Sequence, residues 1–199
     1  MLEAHRQAAQ ALRTACNCTV GMTVAMFDLQ AMPAAEEVRD RAAAESQDIF
    51  LEAARADDFI GVQCYTRQRI GTSGLLPPEP GAEYTQMGYE FWPDAVQAAI
   101  RQANAVARVP IIVTESGVAT EDDSRRIAYI KQVLNGVAQC LRDGIDVRGY
   151  FYWSLLDNFE WLFGYGPKFG LIEVERKTQR RKVKPSAEWL GRIARNNEI

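Results

Sequence analysis

The sequence predicts an α/β fold built on a parallel sheet, and three observations carry that expectation. Apolar strand-type runs alternate with helical segments along the chain, an order that calls for parallel strands joined by right-handed crossovers. The polar residues best suited to chemistry, Gln63, Tyr65, Glu115 and Glu160, fall just after the C-terminal ends of those runs, where parallel α/β barrels carry their sites. Only four such runs occur, whereas a barrel of this kind closes with eight strands. The chain therefore reads as half of one.

Residues 2–15 read as a helix rich in Ala, Arg and Gln, with Leu2, Ala8, Ala11 and Leu12 as inward positions. Val20 to Met26 is a strand-type run, followed by a loop through Pro33. Residues 34–56 form a helix, acidic toward its start and with Arg55 near its end, as the helix dipole favours. Phe59 to Tyr65 is the second strand, and the loop after it carries Gly71, Gly74, Pro77, Pro78, Pro80 and Gly81. A loop of that composition is a functional surface loop in expectation. Pro93 and Asp94 open a helix that runs to Val106.

The third strand runs from Pro110 toward Gly117 and stops on Glu115. Residues 124–142 give the clearest helix, with Ser124 at its N-cap, Ile127, Ile130, Leu134, Val137 and Leu141 inward, and Gly144 at the C-terminal cap. The fourth run begins at Tyr150 and breaks into Trp153, Asp157, Asn158, Glu160 and Trp161. Aromatic faces suit the apolar side of a sugar ring, and carboxylate and amide groups suit its hydroxyls. The alternative for this stretch is a buried strand followed by an ordinary acidic loop. A glycine-rich loop (Gly164, Gly166, Gly170), a hairpin from Leu171 to Lys182 and a last helix from Pro185 complete the chain.

Composition narrows the function classes. The 199 residues, 47% of them hydrophobic, suffice for one domain spanning 1–199 with a real core. A net charge of -3 gives no general attraction for nucleic acid or an anionic membrane. The basic cluster Arg176, Lys177, Arg180, Arg181, Lys182 and Lys184 reads as a solvated turn. No stretch approaches the roughly 18 apolar residues of a membrane span. Met1 to Arg6 lacks the apolar core of a signal peptide, so a cytoplasmic location is expected and the Asn17-Cys18-Thr19 sequon carries no weight. Cys16-x-Cys18 has neither the two-residue gap of a redox pair nor a second half for zinc, and Cys140 reads as packing, so reduced, unlinked thiols are expected. His5 is the only histidine, which argues against a serine-histidine triad or a multi-histidine metal site.

Several segments carry a more specific resemblance. They are Asp58 to Arg67, Met87-Gly-Tyr-Glu-Phe-Trp-Pro93, Thr114-Glu115-Ser116-Gly117, Tyr152-Trp-Ser-Leu-Leu-Asp-Asn-Phe-Glu-Trp161, Lys168 to Glu175 and Lys184-Pro-Ser-Ala187. Together, and in this order, they resemble glycoside hydrolase family 1, the β-glucosidase family, from about residue 1 to 195. The resemblance covers the second half of that family's (β/α)8 TIM barrel, strands 5–8 with their helices, and the chain is expected to begin at Met1 inside the fourth helix. The family's Thr-Phe-Asn-Glu-Pro motif, which carries the acid/base glutamate, does not occur in this sequence.

The resemblance implies retaining hydrolysis of β-linked glucosides without metal or organic cofactor. It implies Glu115 as the nucleophile and Tyr65 as the tyrosine that hydrogen-bonds and orients it. Glu160 and Trp161 would grip the hydroxyls of the non-reducing sugar, Trp153 would stack beneath it, and Gln63, beside Tyr65, would belong to the substrate-binding set. Asp157 and Asn158 would cap the turn. Members acting on 6-phosphosugars carry serine where Glu160 stands, so a non-phosphorylated sugar is implied. The sequence departs from the family at Ser116, where Asn is usual, at Gln63-Cys64, where Asn-Tyr is usual, and in a short linker between Gly117 and Ser124.

A four-strand half leaves two sheet edges and its inner face open. The expected partners are a β-glucoside or related sugar and either a complementary N-terminal half chain or a second copy. A degenerate half-barrel that binds sugar or only self-associates is the alternative.

Overall fold

A computed structural model describes residues 1–198. Four strands, β1 (Gly21–Ala31), β2 (Phe59–Gly71), β4 (Ile111–Glu115) and β5 (Val147–Tyr150), lie side by side in that order and all run parallel. The short β3 (Gly74–Leu75) folds back antiparallel on the end of β2. Helices fill the crossovers: α2 (Glu36–Ala43) and α3 (Ile49–Ala53), then α4 (Ala95–Val106), then α5 (Asp123–Arg142). The helix α1 (Leu2–Ala15) precedes β1. A two-stranded hairpin, β6 (Ile172–Val174) with β7 (Arg181–Val183), and α6 (Pro185–Asn196) close the chain.

One face of the sheet makes the core. Alternate residues Met22, Val24 and Met26 of β1, Ile60, Val62 and Cys64 of β2, and Ile111 and Val113 of β4 are buried, as the two-residue period of a strand requires. Against them α4 buries Ala95, Val96, Ala99, Ile100 and Ala103, and α5 buries Tyr129, Ile130, Val133, Leu134 and Val137. Each fully buried Ile or Val contributes about 1.5–3 kcal/mol. The opposite face carries Thr23 and Ala25, which are exposed, and Gln63, Ile112 and Thr114, which are half-buried. In a closed barrel that face would be the interior.

Several elements differ from the sequence expectation. β1 and β2 run on past Met26 and Tyr65, pairing Asp28–Ala31 with Arg67–Ile70 beyond a register shift; these residues are held by backbone pairing and have no apolar alternation to betray them. The fourth strand ends at Tyr150, where the aromatic run begins, and the chain from Phe151 onward is largely irregular, with a cis peptide between Trp153 and Ser154. The helix read over 34–56 contains a wide turn at Ala44–Asp48, where the buried Gln47 accepts a hydrogen bond from the Phe27 N–H at 2.5 Å. Asp122, not Ser124, caps α5, its carboxylate accepting from the Ser124 N–H at 2.8 Å. Ala8, Ala11, Leu12 and Leu141, read as inward, are exposed, while Ala9 and Cys140 are buried in their helices.

Candidate active site

The site is built on the middle of β2 and the C-terminal end of β4: Gln63 and Tyr65, expected just after the end of their strand, lie inside it because β2 runs on to Gly71. Glu115 is the last residue of β4 and stands opposite Gln63 in the ladder. Tyr65 lies two residues beyond Gln63, so both side chains leave the same face of the sheet. The Gln63 amide donates to Glu115 Oε1 at 2.8 Å, and the Tyr65 hydroxyl donates to Oε2 at 2.6 Å. Each carboxylate oxygen therefore has its own donor, and the rotation of the group is fixed. Burial, and then the bond to Glu115, hold the Tyr65 pKa far above the ordinary tyrosine value. Its hydroxyl stays a donor across any working pH. The edge of Phe169 meets the Tyr65 ring with centroids 6.0 Å apart.

Below Glu115 the packing is tight. Ser116 is buried with its hydroxyl 3.0 Å from that of Tyr150. The Trp153 N–H donates to the Ser116 carbonyl at 2.8 Å, tying the strand to the aromatic segment. At Gly117 a Cβ would lie 1.9 Å from the Trp153 carbonyl oxygen, so the close approach demands glycine.

The aromatic segment forms a second cluster. Glu160 is buried, and its Oε1 accepts from the Trp153 indole at 3.2 Å and from the Asn158 amide at 2.7 Å. Asp157 clasps the turn, accepting from the Gly170 N–H at 2.9 Å and from Lys184 Nζ at 3.2 Å. Burial lowers the Lys184 pKa against the opposing pull of Asp157. Trp161 is 83% exposed and opens a short turn through Phe163. Phe151, Leu155, Phe159 and Leu162 are exposed beside it.

The structure thus brings Glu115, Gln63 and Tyr65 into one hydrogen-bonded group, and Trp153 and Glu160 into another, while Trp161 touches neither through a hydrogen bond. Sequence reasoning missed two contributors. Asn158, expected only to cap a turn, holds Glu160. Arg67 pairs with Glu90 and lies 3.6 Å over the Trp92 ring, pinning the long loop after β2 to the strand end. The segment Met87–Pro93 signals that Glu90 and Trp92 matter, but nothing in it names Arg67 as their partner. Among the described residues no three His, Cys, Asp or Glu side chains converge as a metal site would require. An oriented carboxylate at a strand end, beside an aromatic wall with a second carboxylate, can hold a polyhydroxylated ring and present an oxygen nucleophile to it.

Four parallel strands with helices on one face, one of them ending on Glu115, define half of a glycosidase-type (β/α)8 barrel. The chain belongs to glycosyl hydrolase family 1, whose sequence profile matches residues 53–199. Beta-glucosidase A of Thermotoga maritima is 30% identical over an alignment of 168 positions that covers 77% of this chain and 38% of that protein. The bifunctional beta-D-glucosidase/beta-D-fucosidase of Bifidobacterium breve is 39% identical over an alignment of 124 positions that covers 55% of this chain and 27% of that one. Among solved structures, beta-glycosidase BGL167 matches 100% of this chain and 48% of its own with a TM-score of 0.94 at 49% identity. The beta-glycosidase from Pyrococcus horikoshii matches 100% of this chain and 52% of its own with a TM-score of 0.91 at 32% identity. The chain spans about half the length of these structures and 38% or less of the two curated relatives.

Proposed function

We propose that residues 1–199 form one folding unit that supplies the nucleophile and sugar-binding half of a retaining β-glucosidase. Glu115 is the nucleophile, and Tyr65 and Gln63 are positioning residues that aim it. Trp153, Glu160 and Trp161 hold a non-phosphorylated sugar. A complementary half, carrying a carboxyl acid/base, completes the site. The observation that carries this reading is the Glu115 carboxylate with one donor on each oxygen, at 2.8 and 2.6 Å, at the end of a buried strand. A retaining mechanism needs a second carboxyl about 5–5.5 Å from the nucleophile. Glu160 is engaged by Trp153 and Asn158 in the sugar-holding cluster, which suits it to hydroxyls and leaves the acid role to the other half.

The reading is tested with 4-nitrophenyl β-glucoside, assayed on the chain alone and after mixing with the first half of a family relative. Loss of the general acid costs about 10²–10⁴-fold, but an activated aryl leaving group relieves part of that. Turnover that appears on mixing and falls by at least about 10³-fold in Glu115→Gln is the expected result. Sugar binding or self-association with no turnover in the mixture would instead identify a degenerate half-barrel. Turnover that survives Glu115→Gln would overturn the nucleophile assignment.

A further inference from the structure

Cys16 and Cys18 lie outside everything the Glu115 cluster uses. Cys16 follows α1 with its N–H still bonded to the Leu12 carbonyl at 2.9 Å, and its own backbone is extended. The Cys18 N–H then donates to the Cys16 carbonyl at 3.0 Å. That bond closes a three-residue turn about Asn17, drawing two residues of an otherwise extended strand entry together. Their sulfurs are 2.9 Å apart, and both residues are exposed. The other two thiols are protected: Cys64 and Cys140 are buried, and burial pushes the Cys64 thiol up to about 12.

We propose that Cys16 and Cys18 are a redox pair that closes reversibly to an intramolecular disulfide when it meets a low-molecular-weight disulfide such as oxidised glutathione. The lack of further ligands favours this chemistry over a thiophilic metal: no third ligand joins the two sulfurs among the described residues. From 2.9 Å, a disulfide needs the sulfurs to approach by only about 0.9 Å. The exchange balances in two steps. One cysteine thiolate attacks a sulfur of the oxidant, forming a mixed disulfide and expelling one glutathione thiolate. The second cysteine thiolate then attacks the protein sulfur of that mixed disulfide and expels the second. One disulfide is consumed, one is made, and two protons leave the protein thiols. A loop this short gains little from restriction of the unfolded chain, so the bond is a labile one. It would stiffen the joint between α1 and β1, where Arg13 and the Val20 N–H share the Asp58 carboxylate at 2.9 and 2.8 Å.

The test equilibrates the reduced full-length chain with glutathione buffers from fully reduced to fully oxidised, alkylates it and maps the masses. The expected product is a tryptic peptide Thr14–Arg39 lighter by about 2 Da than its reduced form. It should revert with dithiothreitol, while Cys64 and Cys140 alkylate only after denaturation. Cys16→Ser and Cys18→Ser should each stop at a stable mixed disulfide with glutathione. Two alkylatable thiols at every buffer ratio, or mixed disulfides that persist in the unaltered chain, would overturn the proposal. So would thiols that added zinc protects but no oxidant links.

Discussion

Two donors of different strength set the direction of the Glu115 carboxylate, and the shorter contact comes from Tyr65. Tyr65→Phe keeps the ring against Phe169 and removes only the hydroxyl. In the assembled enzyme it should lower kcat by about 10²-fold, with KM little changed, because the defect is in aim and not in sugar affinity. Steady-state kinetics on 4-nitrophenyl β-glucoside separate the two constants. A raised KM at unchanged kcat would mean that Tyr65 binds sugar. Away from the site, Asp123 is one of the carboxylates through which the chain responds to acid. Burial disfavours its charge, but the Ser186 hydroxyl and N–H and the buried Arg126 outweigh that penalty, and its pKa is lowered below the ordinary aspartate value. A depressed carboxylate adds stability that is complete above its unfolded pKa of about 3.9 and is lost as pH falls through the folded value. The melting temperature should therefore drop below about pH 4. In Asp123→Asn it should start lower and depend less on pH over that range.

At the scale of elements, the turn after β4 and the aromatic segment are locked by backbone contact. Gly117→Ala places a methyl where 1.9 Å separates Cβ from the Trp153 carbonyl oxygen, and neither backbone can yield without breaking the Trp153 to Ser116 hydrogen bond. A cost of at least about 1–3 kcal/mol is expected from urea unfolding, together with loss of the Glu115 geometry. Wild-type stability in this variant would mean that the aromatic segment is free to move. These elements differ in how far the sequence announces them. Glu115 ends its apolar strand run as expected, whereas Gln63 and Tyr65 lie inside a strand that continues to Gly71 through residues with no apolar alternation. The pairing of Asp28–Ala31 with Arg67–Ile70 was not legible, since it rests on backbone groups that every residue shares. Likewise Asn158 reaching Glu160 and Arg67 reaching Glu90 depend on how loops fold over strand ends, and no local periodicity encodes that. Leu12 follows the helical period but points where this chain has nothing to cover it.

The whole molecule is an arc with helices on its outside and an uncovered inside. Among the described residues β1 pairs only with β2, and β5 only with β4, so each leaves one edge of backbone groups unpaired. A cavity of about 680 Å³ lies between α1 and β1, lined by Ala4, His5 and Ala8 of the helix and by Gly21 to Ala25 of the strand. The cavity lies along the unpaired edge of β1. The chain alone should self-associate through these edges, and the first half of a family relative should convert it to a one-to-one complex in light scattering. Ala25→Lys distinguishes specific closure from non-specific sticking. Ala25 is exposed on the open face, so the lysine should shift the stability of the isolated chain by no more than about 0.5 kcal/mol. Inside a closed barrel the same ammonium would be taken out of water at a cost of several kcal/mol, and because Ala25 stands opposite Gln63 in the ladder it would also crowd the Glu115 group. The variant should therefore melt like the original chain yet fail to form the complex, and light scattering is the readout because a lysine beside Gln63 would disturb the Glu115 group in any case. Complexes that form equally well with Ala25→Lys would mean that the other half does not pack on this face.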